Sequence, residues 1–113
     1  MCSSDLLAFW ARDRKRGPRL PLEQVVAKLT GEPARLYGLK DRGVLEVGKR
    51  ADLNVIDFDR LTCNLPRMAF DLPLGSARLL QSSRGYLATI VNGVPTRLND
   101  TATGARPGRL LRA

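Results

Sequence analysis

The sequence predicts an α+β chain, with helices in its first third and strands after them. In the first part, apolar residues recur at the helical spacing i, i+3, i+4 and i+7, at Leu22, Val25, Val26 and Leu29. After Gly43 they crowd instead into short runs bounded by Gly, Pro or Asn, which is typical of strands. At 113 residues, with 43% hydrophobic residues, the chain is long enough for one small globular unit.

The first predicted helix carries Leu6, Phe9 and Trp10 at helical spacing, with Leu7 as a further candidate for the stripe, and ends near Arg16, because Gly17 and Pro18 interrupt the pattern. Its last turn is basic, which suits the negative end of the helix dipole.

The second predicted helix begins at Pro21 and contains the apolar stripe described above. Pro fits the first helical position, and Gly31 is predicted to cap the C-terminus. A short third helix is predicted to begin at Pro33 and to end at Gly38.

The predicted strands follow Gly43, and the clearest signal among them is the Asn92-Gly93 dipeptide, which favours a type I′ hairpin turn. An irregular crossing loop is expected between Leu61 and Gly75, where Pro and Gly are frequent, and an irregular tail from Asn99 onwards. The predicted strands are residues 44–47, 53–58, 78–81, 86–91 and 94–98.

The charge balance allows nucleic-acid binding as an alternative function. Nineteen Lys and Arg against eleven Asp and Glu give a net charge of +8, and the densest basic run is residues 12–19. Few aromatic residues are interleaved with the basic ones, so we expect only weak, nonspecific binding that salt suppresses.

No apolar run is long enough to cross a membrane and no signal peptide is recognisable, so the predicted location is the cytoplasm.

Chemistry-bearing residues are scarce in this sequence. There is no His, and the two cysteines, Cys2 and Cys63, have no spacing typical of a zinc site or a disulfide framework. Asp52, Asp57 and Asp59 lie close together, but strand alternation places only Asp57 and Asp59 on one face, which favours turn and edge roles over metal binding.

Two motifs between Thr30 and Leu53 resemble the C-terminal signature of the amidohydrolase superfamily. They are T-x-x-P-A-x-x-x-G-L and D-R-G-x-x-x-x-G-x-x-A-D-L, and the glycines have the structural role of permitting tight reversals. The residues that fill the motifs are Thr30, Pro33, Ala34, Gly38, Leu39, Asp41, Arg42, Gly43, Gly48, Ala51, Asp52 and Leu53.

Further segments, among them WARDRKRG, FDLPLG and GYLATIVNG, resemble the branch of D-aminoacylases and N-acyl-D-amino-acid deacylases. The resemblance extends from Phe9 to Arg112. It leaves open another branch of the superfamily, such as a cyclic amide hydrolase, because the two motifs are shared. For the parent enzyme it implies hydrolysis of an N-acyl amino acid by zinc held on a (β/α)8 barrel beside a small β-sandwich.

The resemblance therefore predicts a C-terminal fragment of such an enzyme. Residues 1–6 are interpreted as an adapter or cloning scar, residues 7–40 as terminal barrel helices, and residues 41–113 as C-terminal strands of the β-sandwich. The expected partner is the missing N-terminal barrel of the same protein. We expect no catalytic, cofactor-binding or metal-binding residue in this chain, and no zinc bound to it.

The remaining residues that could carry chemistry are predicted to have structural roles. Asp5, in a Ser-Ser-Asp segment, is not followed by the Gly that the family's catalytic Asp setting would have. Asp41 and Arg42 are predicted to form a structural ion pair or turn, and Trp10 to face the barrel. Cys63 has no neighbouring group to lower its pKa and is predicted to be inert. Asn99 begins a formal glycosylation sequon.

Overall fold

A computed structural model describes residues 3–111 and confirms that the chain is α+β, with helices first and strands afterwards. Helix α1 (Ser3–Asp5) continues directly into a π-helix (Leu6–Asp13). Helices α2 (Leu22–Leu29) and α3 (Gly31–Leu36) follow after a short connection. No helix among the described residues is long and apolar enough to span a membrane.

The first helical segment buries only part of the predicted stripe. Leu7 and Ala8 are buried, whereas Phe9 is 45% exposed and Trp10 only half-buried. A π-helix has wider turns than an α-helix, with i→i+5 hydrogen bonds, so the 3.6-residue spacing used for the prediction does not apply. The segment also ends earlier, at Asp13 instead of near Arg16.

The second and third helices form a tight pair joined by Thr30. The prediction that Gly31 caps α2 is wrong: Gly31 begins α3, while the Thr30 hydroxyl donates to the Val26 carbonyl at 2.8 Å. Gly38 does end α3, with a φ of +69°. Its amide and that of Leu39 bond back to carbonyls of the last turn, as in a Schellman cap.

The β part of the chain runs out and back as one long antiparallel ribbon, and two further strands then extend the sheet at the base of the ribbon. A four-stranded sheet has the order β1-β6-β7-β8, and the ribbon continues through the two-stranded pairs β2-β5 and β3-β4. A 3₁₀ turn at Pro73–Gly75 lies at the tip. The strands are β1 Leu53–Ile56, β2 Thr62–Cys63, β3 Arg67–Ala69, β4 Arg78–Leu80, β5 Ser83–Arg84, β6 Tyr86–Val91, β7 Val94–Leu98 and β8 Thr101–Ala102.

Two of the predictions for the β part are wrong. Residues 44–47 form a bend, an irregular stretch and the start of a turn instead of a strand, because Gly43 and Gly48 have φ values of +90° and +89° that bend the backbone on either side. Val47 is fully exposed there, so this apolar residue does not belong to the core. The crossing loop expected between residues 61 and 75 instead contains β2 and β3, which pair with strands that come later in the chain.

The hairpin at Asn92-Gly93 is confirmed, with φ values of +51° and +78° that suit a type I′ turn. A second turn of the same kind follows at Asn99 and Asp100, with φ values of +46° and +64°. It leads into β8, so part of the predicted irregular tail belongs to the sheet.

The core lies where the helices meet the first strand and the ribbon. Leu7, Ala8, Val25 and Leu61 are buried together, and Ile56, Phe58 and Tyr86 pack against them. The chain nevertheless exposes 8945 Å², against about 6,200 Å² for a folded monomer of this mass. Its radius of gyration of 16.0 Å also exceeds the roughly 13 Å of a compact domain of this length. Much apolar surface is therefore uncovered.

Candidate functional site

The motif loop, residues 38–52, carries a network of polar side chains. Asp41 accepts a hydrogen bond from Arg42 at 3.1 Å and another from Arg50 at 2.8 Å. Arg42 reaches on to Asp52, with 3.2 Å between Nη1 and Oδ2. The Asp41–Arg42 pair is thus an ion pair, as predicted, but it belongs to a network of four side chains.

The electrostatics of the network favour its charged form. The hydrogen bond from Arg42 is the main cause that lowers the pKa of Asp41 below its usual value, and Arg50 adds to this effect. The same contact raises the pKa of Arg42. Asp41 and Arg50 are exposed, and Arg42 and Asp52 are half-buried, so solvent screens much of their attraction and the network fixes geometry more than it adds stability.

The network holds the motif loop against the β6–β7 hairpin. The Asp52 Oδ1 atom accepts a hydrogen bond from the Asn92 amide at 2.7 Å. The Ala51 carbonyl accepts one from the Gly93 amide at 3.0 Å. Motif residues therefore contact the hairpin turn some forty positions later in the chain, which gives the Ala-Asp part of the motif a structural role.

The same loop also packs tightly against the helix pair at Gly43. A Cβ atom at this position would lie 2.4 Å from the Ala34 Cβ and 3.0 Å from the Thr30 carbonyl oxygen. With its φ of +90°, the position therefore requires Gly both for conformation and for space. Three motif residues, Thr30, Ala34 and Gly43, meet at this contact.

An open depression of about 740 Å³ lies between the helix pair and the motif loop. Its floor is apolar, and several basic residues line its edge. Two of these, Arg42 and Lys49, contact neighbours in the motif loop. It is lined by Ala27, Thr30, Gly31, Glu32, Ala34, Arg35, Gly38, Leu39, Lys40, Arg42, Gly43, Val44 and Lys49. The depression is open to solvent, and its apolar floor offers a surface for contact.

Arg12 joins the helices to the ribbon, a role that the sequence did not reveal. Its guanidinium donates to the Phe58 carbonyl, to the Asp59 carbonyl at 2.9 Å and to the Leu61 carbonyl at 2.7 Å. Asp13 holds the opposite edge of the guanidinium at 2.7 Å, and this hydrogen bond raises the pKa of Arg12. The sequence showed Arg12 only as part of a basic run, because its carbonyl partners carry no side-chain signal.

Asp100 closes the sheet by the same kind of contact with the backbone. Its carboxylate accepts hydrogen bonds from the Gly85 amide at 3.1 Å and the Tyr86 amide at 2.9 Å. These two amides lower the pKa of Asp100. The Tyr86 hydroxyl lies 2.7 Å from the Ser4 hydroxyl, so the first helix also contacts this end of the sheet. The Asn-Asp dipeptide was the available signal, since both residues tolerate positive φ.

The remaining candidates occupy separate places in the fold. Asp5 ends α1, and Cys63 is half-buried in β2; Cys2 lies outside the described residues. Asp57 accepts a hydrogen bond from the Arg60 amide at 3.2 Å, which is a turn role, as predicted. Asp59 is exposed beside it.

Trp10 lies beside Arg14, whose guanidinium is 4.3 Å from the centre of the indole ring, and makes an edge contact with Phe9. Its indole Nε1 is buried and has no hydrogen-bond partner among the described residues.

The zinc that the family resemblance implies does not fit the residues of this chain. Between residues 3 and 111, no three His, Cys, Asp or Glu side chains come together in a way that could hold a metal ion. The acidic side chains of the motif loop are each paired with a basic one: Asp41 and Asp52 with Arg42, and Glu46 with Lys49.

Comparison with known proteins identifies the family. The amidohydrolase family profile matches residues 5–97 of this chain. An N-acyl-D-glutamate deacylase from Alcaligenes xylosoxydans xylosoxydans is 41% identical over 93 residues, which cover 82% of this chain and 17% of that protein. A D-aminoacylase from the same organism is 35% identical over 106 residues, covering 94% of this chain and 19% of that protein.

A shorter match extends the similarity to cyclic amide hydrolases. A dihydroorotase from Lactobacillus acidophilus is 44% identical over 45 residues, which cover 40% of this chain and 11% of that protein. No solved structure matches the chain. The chain spans less than a fifth of the length of the deacylases it matches, at 17% and 19%. It belongs to the amidohydrolase superfamily, in the branch of the D-aminoacylases.

Proposed function

We propose that this chain is the C-terminal part of an enzyme that hydrolyses the amide bond of N-acyl-D-amino acids. The observation that carries the proposal is the match to the deacylases, which extends over 82% and 94% of this chain. The dihydroorotase match covers only 40%, which favours the deacylase branch over a cyclic amide hydrolase.

Within that enzyme the chain contributes structure, and the metal-binding and catalytic residues lie on a barrel elsewhere in the protein. The contacts around the motif loop support this role: the motif residues with polar side chains are engaged with each other or with backbone groups. The chain contains no His, the commonest ligand of catalytic zinc.

The uncovered apolar residues of the helix pair also support a neighbouring barrel as partner. Val26 is 43% exposed and Leu36 81% exposed, although both are large apolar side chains on helices. Each such side chain gains roughly 1.5 to 3 kcal/mol when it is fully buried. A partner surface that covers them would therefore bind with a substantial hydrophobic contribution.

The substrate class is tested with the complete reading frame that contains this chain, recovered from its source DNA. The purified enzyme is assayed with N-acetyl-D-glutamate, N-acetyl-D-leucine, their L counterparts and dihydroorotate. We expect turnover of the D compounds alone and zinc in the purified enzyme. Turnover of dihydroorotate alone would contradict the deacylase assignment and support the cyclic amide alternative.

The structural role is tested by a chimera in which this chain replaces the aligned segment of the D-aminoacylase. In the chimera, Asp52→Ala should reduce the yield of folded enzyme while leaving kcat/KM per folded molecule unchanged. Asp59→Ala, which removes the same charge from an exposed site, is the control and should change neither quantity. Loss of kcat/KM in folded Asp52→Ala enzyme would instead place Asp52 in the catalytic machinery.

The nucleic-acid alternative is disfavoured by the contacts of its own basic run. Arg12 is bound to backbone carbonyls, and Arg14 stacks on Trp10 and bonds to the Arg16 carbonyl. We expect the weak binding to a DNA duplex to disappear between about 50 and 200 mM salt. Sequence-selective binding that survives the higher salt concentration would revive this alternative.

A further inference from the structure

The β6–β7 turn combines an Asn side chain with an unhindered backbone nitrogen. Asn92 and Gly93 are both exposed, and Gly93 has no side chain to shield its nitrogen. In an unstructured chain, a nitrogen placed this way attacks the side-chain amide carbon of the preceding Asn once it has lost its proton. Asn is among the thermolabile residue types for this reason. The turn therefore contains both groups that this reaction needs, and both are exposed.

In the folded chain, however, hydrogen bonds restrain the nitrogen that would attack. The Gly93 N–H donates to the Ala51 carbonyl at 3.0 Å, so its proton is engaged. The Asn92 N–H donates to Asp52 Oδ1 at 2.7 Å, which fixes the backbone on the other side of the reacting pair. Both acceptors belong to the motif loop, and Arg42 holds Asp52 in place from 3.2 Å.

We propose that Asn92 is a deamidation site whose reaction is controlled by detachment of the motif loop from the turn. On detachment, the Gly93 nitrogen loses its proton to solvent and forms a bond to Asn92 Cγ. The bond from Cγ to the side-chain nitrogen breaks, and that nitrogen leaves as ammonia. Water then opens the resulting five-membered imide at one of its two carbonyls, which yields Asp or isoaspartate; nothing is oxidised or reduced.

The product weakens the contact with the motif loop. The backbone N–H of residue 92 remains, but a new carboxylate at this position would add a negative charge close to the Asp52 carboxylate, which accepts a hydrogen bond from that N–H in the intact turn. Isoaspartate would also add an atom to the backbone within the turn, which disturbs the pairing of Val91 with Val94. Either product therefore favours detachment of the hairpin from the motif loop.

The rate of deamidation in the folded chain depends on the fraction of time that the turn is detached from the motif loop. Local opening before reaction makes the observed rate equal to the rate of an unprotected chain multiplied by the open fraction. We therefore expect deamidation in the folded chain to be at least about tenfold slower than in a peptide of residues 88–97. The contacts of Asp52 set that fraction, so removing its carboxylate should raise the rate.

The experiment incubates the 113-residue chain, the peptide and the urea-denatured chain in mildly alkaline buffer. Peptide mapping measures the mass gain at Asn92, and isoaspartyl methyltransferase labels the isoaspartate. Asp52→Ala should bring the rate to within about threefold of the peptide, whereas the control Asp59→Ala should leave it unchanged. Asn92→Gln, with a longer side chain, should abolish the labelling at this position.

Hydrogen exchange of the β6 amides distinguishes local detachment from global unfolding in each variant. Arg42→Gln, which keeps the Asp52 carboxylate but removes its partner, is a second variant and should give an intermediate rate. Equal rates in the folded chain and the peptide, while β6 remains protected, would overturn the proposal. So would an unchanged rate in Asp52→Ala.

Discussion

The helical end of the chain and the distal part of the ribbon differ in how they are held together. The helices bury Leu7 and Val25 against Leu61, whereas none of residues 62–84 is buried. Pairing in the distal ribbon depends on short strands and on the ion pair between Asp71 and Arg78, with 2.6 Å between Oδ1 and Nε. A two-stranded ribbon without a covered face is marginal in water. Backbone pairing gives the ribbon its shape, but only the helical end has a core.

The sharpest test of this difference is to truncate one Leu from each region. Leu61→Ala removes a side chain with 0% exposure and should reduce stability by about 2–5 kcal/mol, enough to abolish hydrogen-exchange protection of the β6 amides. Leu74→Ala, at the fully exposed ribbon tip, should change stability by less than about 0.5 kcal/mol. Similar effects of the two substitutions would show that the distal ribbon has a covered face.

A smaller effect is expected where the ribbon crosses the core. A Cβ at Gly85 would lie 2.8 Å from the Leu61 Cα, and the φ of +103° disfavours any side chain. Gly85→Ala should therefore reduce the same protection by about 2–3 kcal/mol. Gly104→Ala, with a φ of +86° but open space around it, is the matched control and should cost about 1 kcal/mol. Equal losses would mean that the close approach to Leu61 is relieved easily.

The link between the two regions is probed at Arg12. Arg12→Lys keeps the charge but cannot reproduce the fork that reaches the Asp59 and Leu61 carbonyls, so we expect a loss of about 1–2 kcal/mol. Arg16→Lys, on the exposed connection between the helices, should have no measurable effect. Hydrogen exchange of the β6 amides measures both variants. An unchanged Arg12→Lys protein would show that charge alone holds the helices to the ribbon.

The smallest effect concerns pH and Asp100. Its pKa is lowered in the folded chain by the Gly85 and Tyr86 amides, so folding is favoured by its ionised form. The stability is present above the unfolded pKa of about 3.9 and is lost as the pH falls through the lower folded value. Exchange protection of wild type should therefore exceed that of Asp100→Asn at about pH 6, and the difference should shrink as the pH falls below about 3.9. A constant difference over this range would contradict the assignment to Asp100.

The sequence predicted the contacts of the site that join neighbouring residues, and missed those made with backbone groups distant in the chain. The Asp41–Arg42 ion pair and the turn role of Asp57 were predicted, because both depend on residues close in sequence. Arg12 and Asp100 were missed, because their partners are backbone groups brought near by the fold. The absence of catalytic residues from this chain, and its place as a C-terminal fragment beside a zinc-binding barrel, remain predictions.

By itself, the sequence determined the order of helices before strands, the Schellman end of α3 at Gly38 and the type I′ hairpin at Asn92-Gly93. These depend on local periodicity and on the φ angles that individual residues adopt. Only the tertiary structure decided which apolar residues are buried and which short segments pair. Residues 44–47 look like a strand but lack a partner, whereas β2 and β3 have weak patterns and are stabilised by pairing with β5 and β4. Strand pairing joins residues that are distant in sequence, and therefore local pattern does not specify it.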